Sequence, residues 1–272
     1  MAEAIYTMGV DIGSTASKSI ILKDGKEIIS TSVIDVGAGT SGPCRTITKT
    51  LEKANMKRED ISYVMATGYG RNALPGADFQ MSELSCHAKG AYFLFPNVST
   101  IIDIGGQDAK ALKIGDNGML ENFVMNDKCA AGTGRFLDVI ARVLEVDISE
   151  LEELDAKSTK DVNISSTCTV FAESEVISQL ASGAKIEDIV KGIHDSIAAR
   201  VGSLAKRVGL NDDIVFTGGV ALNKGMIRAL EENTGHKIHT SPLCQLNGAL
   251  GAALFGYQKC KLEKLKDKKA NA

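Results

Sequence analysis

Residues 11–18 read DIGSTASK, and 92 residues further along the chain residues 103–110 read DIGGQDAK. The two segments are identical at four of eight positions, and each follows an apolar stretch typical of a buried strand. Each is followed by a second predicted strand, an Asp/Gly turn and a returning strand. Because the sequence and the secondary-structure pattern agree twice, the repeat predicts two duplicated α/β lobes. We place them at residues 1–95 and 96–272, with the final helix able to pack back on the first lobe.

The turn after each repeated strand has the composition of a phosphate-binding loop. A strand that turns through Gly exposes backbone N–H groups that can cradle phosphate oxygens, and nearby Ser, Thr or Lys side chains add donors or positive charge. Asp11 and Asp103 stand at the ends of their strands, where a carboxylate can hold Mg²⁺ through water. A third glycine turn, TGGV at 217–220, would let an adenosine approach the backbone closely. Simple tight turns are the alternative, which the repetition disfavours.

The sequence patterns of other nucleotide-binding folds are absent or incomplete. No GxxxxGK[ST] motif is present, which excludes a P-loop NTPase. A GxGxxG pattern occurs at 37–42 as GAGTSG, but the next predicted strand, 61–67, ends in ATG. A dinucleotide-binding fold needs an acidic residue there, and it lacks the antiparallel hairpin predicted upstream. We therefore disfavour an NAD-dependent enzyme.

The composition is that of an ordinary globular protein. Of the 272 residues 44% are hydrophobic and 24% are charged, and the net charge is −3. This leaves no overall positive charge to hold a nucleic acid. Without a run of 18 apolar residues or a basic, apolar leader, we expect neither a membrane span nor a signal peptide. We therefore expect a cytoplasmic protein, whose six cysteines are reduced thiols or metal ligands.

Two of the cysteines have a setting that the other four lack. Cys129 lies in NDKCAAGTGRF (126–136) and Cys168 lies in SSTCTVF (165–171), each just before a predicted helix. A helix N-terminus carries partial positive charge and free N–H groups, which favour a thiolate, the form that binds metal. No CxxC pair is present. The residues alone leave two interpretations open, which are ordinary buried cysteines and metal ligands.

The three glycine turns together resemble those of the actin, sugar-kinase and chaperone ATPase superfamily. That resemblance implies an α/β fold of two duplicated RNase H-like lobes with a nucleotide cleft between them. The segments 11–18, 126–134 and 165–175 further resemble the activator component of 2-hydroxyacyl-CoA dehydratases of the 2-hydroxyisocaproyl- and 2-hydroxyglutaryl-CoA type, a BadF/BadG-type ATPase. In that family the two matching cysteines of each subunit hold half of a [4Fe–4S] cluster. The resemblance therefore implies a homodimer with Cys129 and Cys168 as metal ligands.

The resemblance also implies the activity. The family uses ATP hydrolysis to pass one low-potential electron to a separate, heterodimeric 2-hydroxyacyl-CoA dehydratase, after accepting it from reduced ferredoxin or flavodoxin. For the nucleotide site it implies that Asp11 and Asp103 hold Mg²⁺ through water and that Gln107 orients the attacking water. The further implied contacts of ATP or ADP are Gly13, Ser14, Thr15, Ala16, Ser17 and Lys18 on one side of the phosphates, Gly105, Gly106 and Gln107 on the other, and Gly218, Gly219, Val220 and Gln245 around the adenosine.

Three alternatives share parts of this pattern. An ATPase subunit of a benzoyl-CoA reductase would be permanently associated with other subunits. A small-molecule kinase of the same superfamily leaves Cys129 and Cys168 unexplained, and a redox sensor would bind a cluster without activating a dehydratase. The scattered histidines are interpreted as helix or surface residues rather than ligands: His87, His194, His236 and His239.

Overall fold

The computed structural model describes residues 4–164 and 168–270, with side chains up to residue 266. Its strands are β1 (Tyr6–Ile12), β2 (Ser17–Lys23), β3 (Glu27–Ile34), β4 (Tyr63–Thr67), β5 (Phe79–Gln80), β6 (Thr100–Ile104), β7 (Ala109–Ile114), β8 (Leu120–Asn126), β9 (Ile214–Thr217) and β10 (Ile238–His239). Its α-helices are α1 (Gly42–Ala54), α2 (Glu83–Leu94), α3 (Gly134–Val143), α4 (Leu151–Ala156), α5 (Thr169–Ala181), α6 (Ile186–Val208), α7 (Lys224–Thr234) and α8 (Asn247–Ala270).

The chain divides into two units. The first unit comprises Met1–Pro96, Asp116–Met119 and Gln245–Ala272, and the second comprises Asn97–Gly115 and Leu120–Cys244. The first boundary falls next to the predicted division between residues 95 and 96. The C-terminal segment, however, groups with the first unit and not with the rest of the range 96–272, because α8 packs against α2, β1 and β4.

The sheet of the first unit has the strand order β3-β2-β1-β4-β5. Strands β1, β2 and β3 form an antiparallel meander, and β4 pairs with β1 in parallel. Both faces of the sheet are covered, since Val10 packs towards Ile47 of α1 while Ile20 packs towards Ala249 of α8. Gly9 of β1 permits this close approach of α8, because a Cβ atom there would collide with the backbone of Ala249. Gly9 therefore lets α8 lie directly on β1.

The sheet of the second unit has the order β10-β9-β6-β7-β8. Here β6, β7 and β8 form the antiparallel meander, and β9 pairs with β6 in parallel. This is the connectivity of the first sheet repeated, which confirms the predicted duplication. The longest helix of this unit, α6, buries a stripe with a four-residue spacing in the core, namely Ile189, Ile193, Ile197 and Val201.

The sequence patterns over 134–145, 171–180, 186–208 and 223–232 predict helices. These correspond to α3, α5, α6 and α7, with ends that differ by at most two residues. The sequence pattern does not predict α4, because six residues are too few to show a helical period. In the part of the chain that the structure describes, no helix combines the length and the apolar character that a membrane crossing needs.

Candidate functional site

The first repeated loop places a buried carboxylate beside a lysine. Asp11 lies near the end of β1, opposite Lys18 of β2 in the strand register. The Nζ atom of Lys18 lies 3.3 Å from Oδ2 of Asp11. Between them the chain turns tightly, and the N–H of Gly13 donates to the carbonyl oxygen of Ala16 at 3.0 Å. The half-buried Ser14 and Thr15 stand at the tip of this turn, followed by Ala16 and Ser17, which are buried.

Two glycines make room for the Asp11 carboxylate. Gly68, which follows β4 with a φ of 86°, has no Cβ, and one built there would collide with Oδ1 of Asp11. A Cβ atom at Gly248, in the first turn of α8, would lie 3.1 Å from Oδ2 of Asp11 and 3.3 Å from Nε2 of His87. The carboxylate is therefore enclosed by backbone on two sides, which fixes its direction.

The second repeated loop has the same arrangement and is more deeply buried. Lys110 of β7 lies opposite Asp103 of β6, and its Nζ atom is 3.3 Å from Oδ2 of Asp103 and 2.8 Å from Oδ2 of Asp108. The hydroxyl of Thr217 donates to Oδ1 of Asp103 at 2.7 Å. The loop closes through the N–H of Gly105, which donates to the carbonyl oxygen of Asp108 at 2.9 Å. Each unit thus carries a buried Asp–Lys pair at the root of a glycine turn.

Each of the two loops offers groups of the kind that bind the phosphates and the Mg²⁺ of a nucleoside triphosphate. An ionised carboxylate held in place by a lysine can accept hydrogen bonds from the water shell of Mg²⁺. Gly106 and Gln107 form the tip of the second loop, and Gln107 is exposed. An exposed side chain at that position is free to meet a phosphate or a water molecule. These features fit the predicted roles, which rest on the loops' composition and position.

The third glycine turn follows β9. Gly218 has a φ of 90°, and a Cβ atom there would collide with the backbone carbonyl of Ile104. Its N–H donates to the carbonyl oxygen of Cys244 at 3.1 Å. Gly219 begins a short 3-10 turn that runs to Leu222, with Gly219 exposed and Val220 buried. Gln245 is half-buried and belongs to the first unit.

The second loop is joined directly to the start of α3. The N–H of Gly134 donates to the carbonyl oxygen of Gly105 at 2.9 Å, and the N–H of Arg135 donates to that of Gly106 at 2.8 Å. The first N–H groups of a helix have no partner within the helix. Here two of them are satisfied by the loop, so a displacement of Gly105 and Gly106 would be transmitted to α3.

Cys129 lies in the segment that leads from β8 into α3. It is half-buried, and its carbonyl oxygen accepts a 2.8 Å hydrogen bond from Nδ2 of Asn126. As predicted, a helix follows it closely: Thr133, four residues further on, is the N-cap of α3. The intervening turn contains Gly132 at a φ of 89°, a backbone conformation that glycine permits.

Cys168 is itself the N-cap residue of α5, as predicted. It is half-buried, and its carbonyl oxygen accepts the N–H of Ala172 at 3.0 Å. Residues 165–167 of its motif lie outside the described residues. Helices α3 and α5 pack against each other in the second unit. The two cysteines therefore precede neighbouring helices.

The donor set fits half of a [4Fe–4S] cluster. Such a cluster needs four thiolates, and one chain supplies two half-buried thiols, one at a helix N-terminus. The first turn of α5 also exposes Val170 and Phe171, at 65% and 68% of their surface. The other cysteines fit less well, since Cys86 is buried and desolvation raises the pKa of its thiol to about 12, which disfavours the thiolate.

Sequence reasoning missed the neighbours of Asp11 on α2. His87 lies on that helix, as interpreted, but it is buried and reaches Gly248 beside Asp11. Oε1 of Glu83, one helical turn earlier, lies 3.8 Å from Nε2 of His87. Nδ2 of Asn247 donates to the carbonyl oxygen of His87 at 2.9 Å. A Glu and a His four residues apart in a predicted helix were the available signal.

The chain is similar to known proteins over most of its length. The chain matches the BadF/BadG/BcrA/BcrD ATPase family over residues 8–256. It is 65% identical over 257 residues to the (R)-2-hydroxyglutaryl-CoA dehydratase activating ATPase of Acidaminococcus fermentans, which covers 94% of this chain and 98% of that protein. The solved structure of the activator of the 2-hydroxyisocaproyl-CoA dehydratase from Clostridium difficile with bound ADPNP matches with a TM-score of 0.94 and 56% identity, over 96% of this chain and 98% of that one. A ROK family glucokinase from Streptomyces griseus shares the fold, with a TM-score of 0.59 at 14% identity, over 93% and 99% of the two chains.

Proposed function

The chain belongs to the BadF/BadG/BcrA/BcrD ATPase family, and we propose that it is the ATP-dependent activator of a 2-hydroxyacyl-CoA dehydratase. Its partner would be a separate, heterodimeric dehydratase, and its electron source a reduced ferredoxin or flavodoxin. The similarity to a 2-hydroxyglutaryl-CoA dehydratase activating ATPase supports the partner. The family and the ADPNP-bound neighbour support ATP as the energy source.

The observation that carries the proposal is the pair of hydrogen bonds between the second loop and α3. Delivering an electron at a potential 100 mV lower costs about 2.3 kcal/mol. Nucleotide chemistry can meet this cost only if the nucleotide site and the electron carrier share a moving element. The carbonyl oxygens of Gly105 and Gly106 accept the first N–H groups of α3, and Cys129 lies in the segment that enters this helix. These two hydrogen bonds would be that link.

On the nucleotide side we assign Mg²⁺ binding through water to Asp11 and Asp103. Lys18 and Lys110 hold these carboxylates in place through ion pairs. In the first unit the phosphates would contact Gly13, Ser14, Thr15, Ala16, Ser17 and Lys18. In the second unit they would contact Gly105, Gly106 and Gln107. Gln107 would position the attacking water, since phosphoryl transfer depends on positioning and electrostatics more than on covalent chemistry. The adenosine would contact Gly218, Gly219, Val220 and Gln245.

On the electron-carrier side we assign Cys129 and Cys168 as the ligands that one chain contributes. When bound, a [4Fe–4S] cluster would supply the one-electron carrier. Two thiolates per chain require a second chain, and a two-fold dimer completes the set of four. The exposed Val170 and Phe171, directly after Cys168, would be buried by such a partner. They therefore support a homodimer in which α5 faces its symmetry mate.

The proposal is tested by the iron and acid-labile sulfide content of protein purified without oxygen. We expect about two of each per chain, one [4Fe–4S] cluster per dimer. Cys168→Ser should lose the iron while ATP still binds. Cys44→Ser, at an exposed cysteine of the first unit, is the matched control and should keep it. Iron-free wild-type protein with intact ATPase activity, or full iron content in Cys168→Ser, would contradict the assignment.

The dehydratase role has a test of its own. Wild-type protein with MgATP and a one-electron reductant should activate a purified 2-hydroxyacyl-CoA dehydratase, and omission of ATP should abolish the activation. Cys168→Ser should retain ATP binding and fail to activate. Activation by Cys168→Ser at the wild-type rate would overturn the electron-transfer role.

A further inference from the structure

A network of hydrogen-bonded polar side chains in the second unit reaches Asn223, the residue that follows the third glycine turn. Nδ1 of His194 lies 3.0 Å from Oδ1 of Asp155, and Nδ2 of Asn223 lies 3.1 Å from Nε2 of His194. His194 on α6 is fully buried, and Asp155 on α4 is buried as well. The nucleotide chemistry proposed above uses none of these three side chains, so the burial of His194 and Asp155 needs another reason.

The charges of the neighbours fix which nitrogen of His194 carries the proton. Burial opposes ionisation of Asp155, but hydrogen bonds from His194 and Arg228 outweigh it and lower the pKa of its carboxyl to about 2. An ionised Asp155 only accepts hydrogen bonds, so Nδ1 of His194 must donate. Nδ2 of Asn223 is an amide nitrogen that only donates, so Nε2 accepts its N–H. Each ring nitrogen of His194 is thus fixed by one hydrogen bond.

Asn223 is the residue that connects this hydrogen-bonded network to the glycine turn. It follows the 3-10 turn that runs from Gly219 to Leu222, and its N–H donates to the carbonyl oxygen of Val220 at 3.1 Å. Its Oδ1 accepts the N–H of Met226 at 3.3 Å and so caps α7. Because Nδ2 is directed to His194, the side-chain amide cannot flip without losing the cap.

Two hydrogen bonds from Arg228 hold the other end of the network, at Asp155. Arg228 on α7 binds Asp155 through two hydrogen bonds, Nε to Oδ2 at 2.9 Å and Nη2 to Oδ1 at 2.8 Å. Gly225 admits the His194–Asp155 pair against α7, because a Cβ atom there would lie 2.7 Å from Nδ1 of His194. Buried ion pairs are often no more stabilising than apolar packing. A set that ties α4, α6 and α7 to one asparagine is therefore better explained by positioning than by stability.

We propose that His194 is a positioning residue for nucleotide binding, which holds Asn223 and thereby fixes the Gly218–Val220 turn against the adenosine of a bound adenine nucleotide. This role rests on the proposed function, since it assumes that the turn meets the nucleoside. It concerns the nucleoside end only. The phosphate contacts come from the two Asp–Lys loops, so the two ends of the nucleotide should respond differently to a change at His194.

Two substitutions at His194 separate the two hydrogen bonds of the imidazole. The amide of His194→Asn can place an N–H near the former Nδ1 and keep the contact with Asp155, but it leaves Asn223 without an acceptor. The longer amide of His194→Gln can place an oxygen near the former Nε2 and keep the contact with Asn223. Binding of MgADP and of magnesium tripolyphosphate, which lacks the nucleoside, is measured by calorimetry for both variants and the wild type.

We expect His194→Asn to bind MgADP about tenfold more weakly, equivalent to about 1.4 kcal/mol, with tripolyphosphate affinity unchanged. His194→Gln should bind both ligands like the wild type. Equal weakening of both ligands, or equal behaviour of the two variants, would overturn the positioning role. Should either variant fail to fold, Asn223→Ser replaces it in the experiment. Serine keeps a hydroxyl that can cap α7 at this half-buried site, but it loses the contact with His194. Asn223→Ser must then show the same selective loss of MgADP affinity.

A further variant distinguishes failure of this role from failure of the proposed site. Gly219→Leu places a bulky side chain on the exposed first residue of the turn. Weaker MgADP binding by Gly219→Leu together with normal binding by His194→Asn would refute only the role of His194. Unchanged MgADP binding by Gly219→Leu would remove the turn from the nucleotide site, and the role of His194 would fall with it.

Discussion

A single proline substitution would test whether the nucleotide loop and the cysteine segment move together. The N–H of Gly134, the first residue of α3, donates to the carbonyl oxygen of Gly105 at 2.9 Å. Proline lacks this N–H, and the first position of a helix tolerates it well. The preceding residue, Thr133, already has the extended backbone that proline favours before it, with a φ of −125° and a ψ of 171°. Gly134→Pro should therefore break the contact while α3 remains helical.

The size of the effect follows from what the carbonyl of Gly105 loses. A hydrogen bond of this kind contributes about 0.5–1.5 kcal/mol net, and the ring carbon of proline would occupy the place of the lost hydrogen. If the bond transmits the nucleotide state to α3, its loss should reduce the coupling by about 1 kcal/mol, or about fivefold in an equilibrium ratio. Gly134→Ala is the matched control, because it retains the N–H. Its Cβ would lie 3.2 Å from the carbonyl oxygen of Gly105, a contact that a small shift relieves.

The assay compares the rates at which a chelator removes iron from the holoprotein in MgADP and in a non-hydrolysable MgATP analogue. The ratio of the two rates reports how far the nucleotide changes access to the proposed cluster. We expect Gly134→Pro to bring this ratio about fivefold closer to one and Gly134→Ala to keep the wild-type ratio. A wild-type ratio in Gly134→Pro would refute the link through α3. An equal loss in Gly134→Ala would assign the effect to crowding instead of the hydrogen bond.

Two predictions concern stability. Lys110→Met should lower the free energy of unfolding by about 3–5 kcal/mol, because it removes a 2% exposed lysine from beside the buried carboxylate of Asp103. Lys18→Met should lower the free energy of unfolding by less, because Lys18 is 16% exposed. Denaturant unfolding measures both variants, and a larger loss in Lys18→Met would contradict the reasoning. Burial opposes ionisation of Asp155, but the hydrogen bonds that its carboxylate accepts depress its pKa from 3.8 to about 2. Ionised Asp155 therefore contributes about 2 kcal/mol to the free energy of unfolding. This contribution is present above about pH 4 and is lost as the pH falls through about 2. Asp155→Asn should flatten the stability profile in that window, and a profile unchanged from the wild type would contradict it.

Much of the fold could be predicted from the sequence because the decisive signals are local. The repeated Asp-Ile-Gly segment marks the same strand-to-turn transition twice, and the Asp24-Gly25 turn adopts the positive φ values (52° and 65°) of a tight hairpin. The pairing of Asp11 with Lys18 also follows from local sequence. Seven residues with a tight turn between them bring the two side chains to opposite positions of an antiparallel pair.

The missed parts of the site depend on contacts between distant segments. Asn247 binds His87 across 160 residues of sequence, and Gly248 reaches Asp11 only because α8 returns to the first unit. No periodicity within a window of 11–18 residues carries this information. The start of α3 after Cys129 depends on local sequence instead, and the sequence pattern predicts it at Gly134, where the structure has it.

The duplicated connectivity also accounts for the contact between the second glycine turn and the segment that follows Cys129. In the first unit the carbonyl oxygen of Gly13 accepts the N–H of Ala38 at 2.9 Å, and Ala38 lies in the connection between β3 and α1. In the second unit the equivalent carbonyl of Gly105 accepts the N–H of Gly134, also at 2.9 Å, after the connection between β8 and α3. Both units therefore tie the connection after the meander to the glycine turn. The second copy carries Cys129 in that connection, so its glycine turn is hydrogen-bonded to the helix that follows the cysteine. The connection in the first copy contains no cysteine, so a movement of the first glycine turn would not displace one.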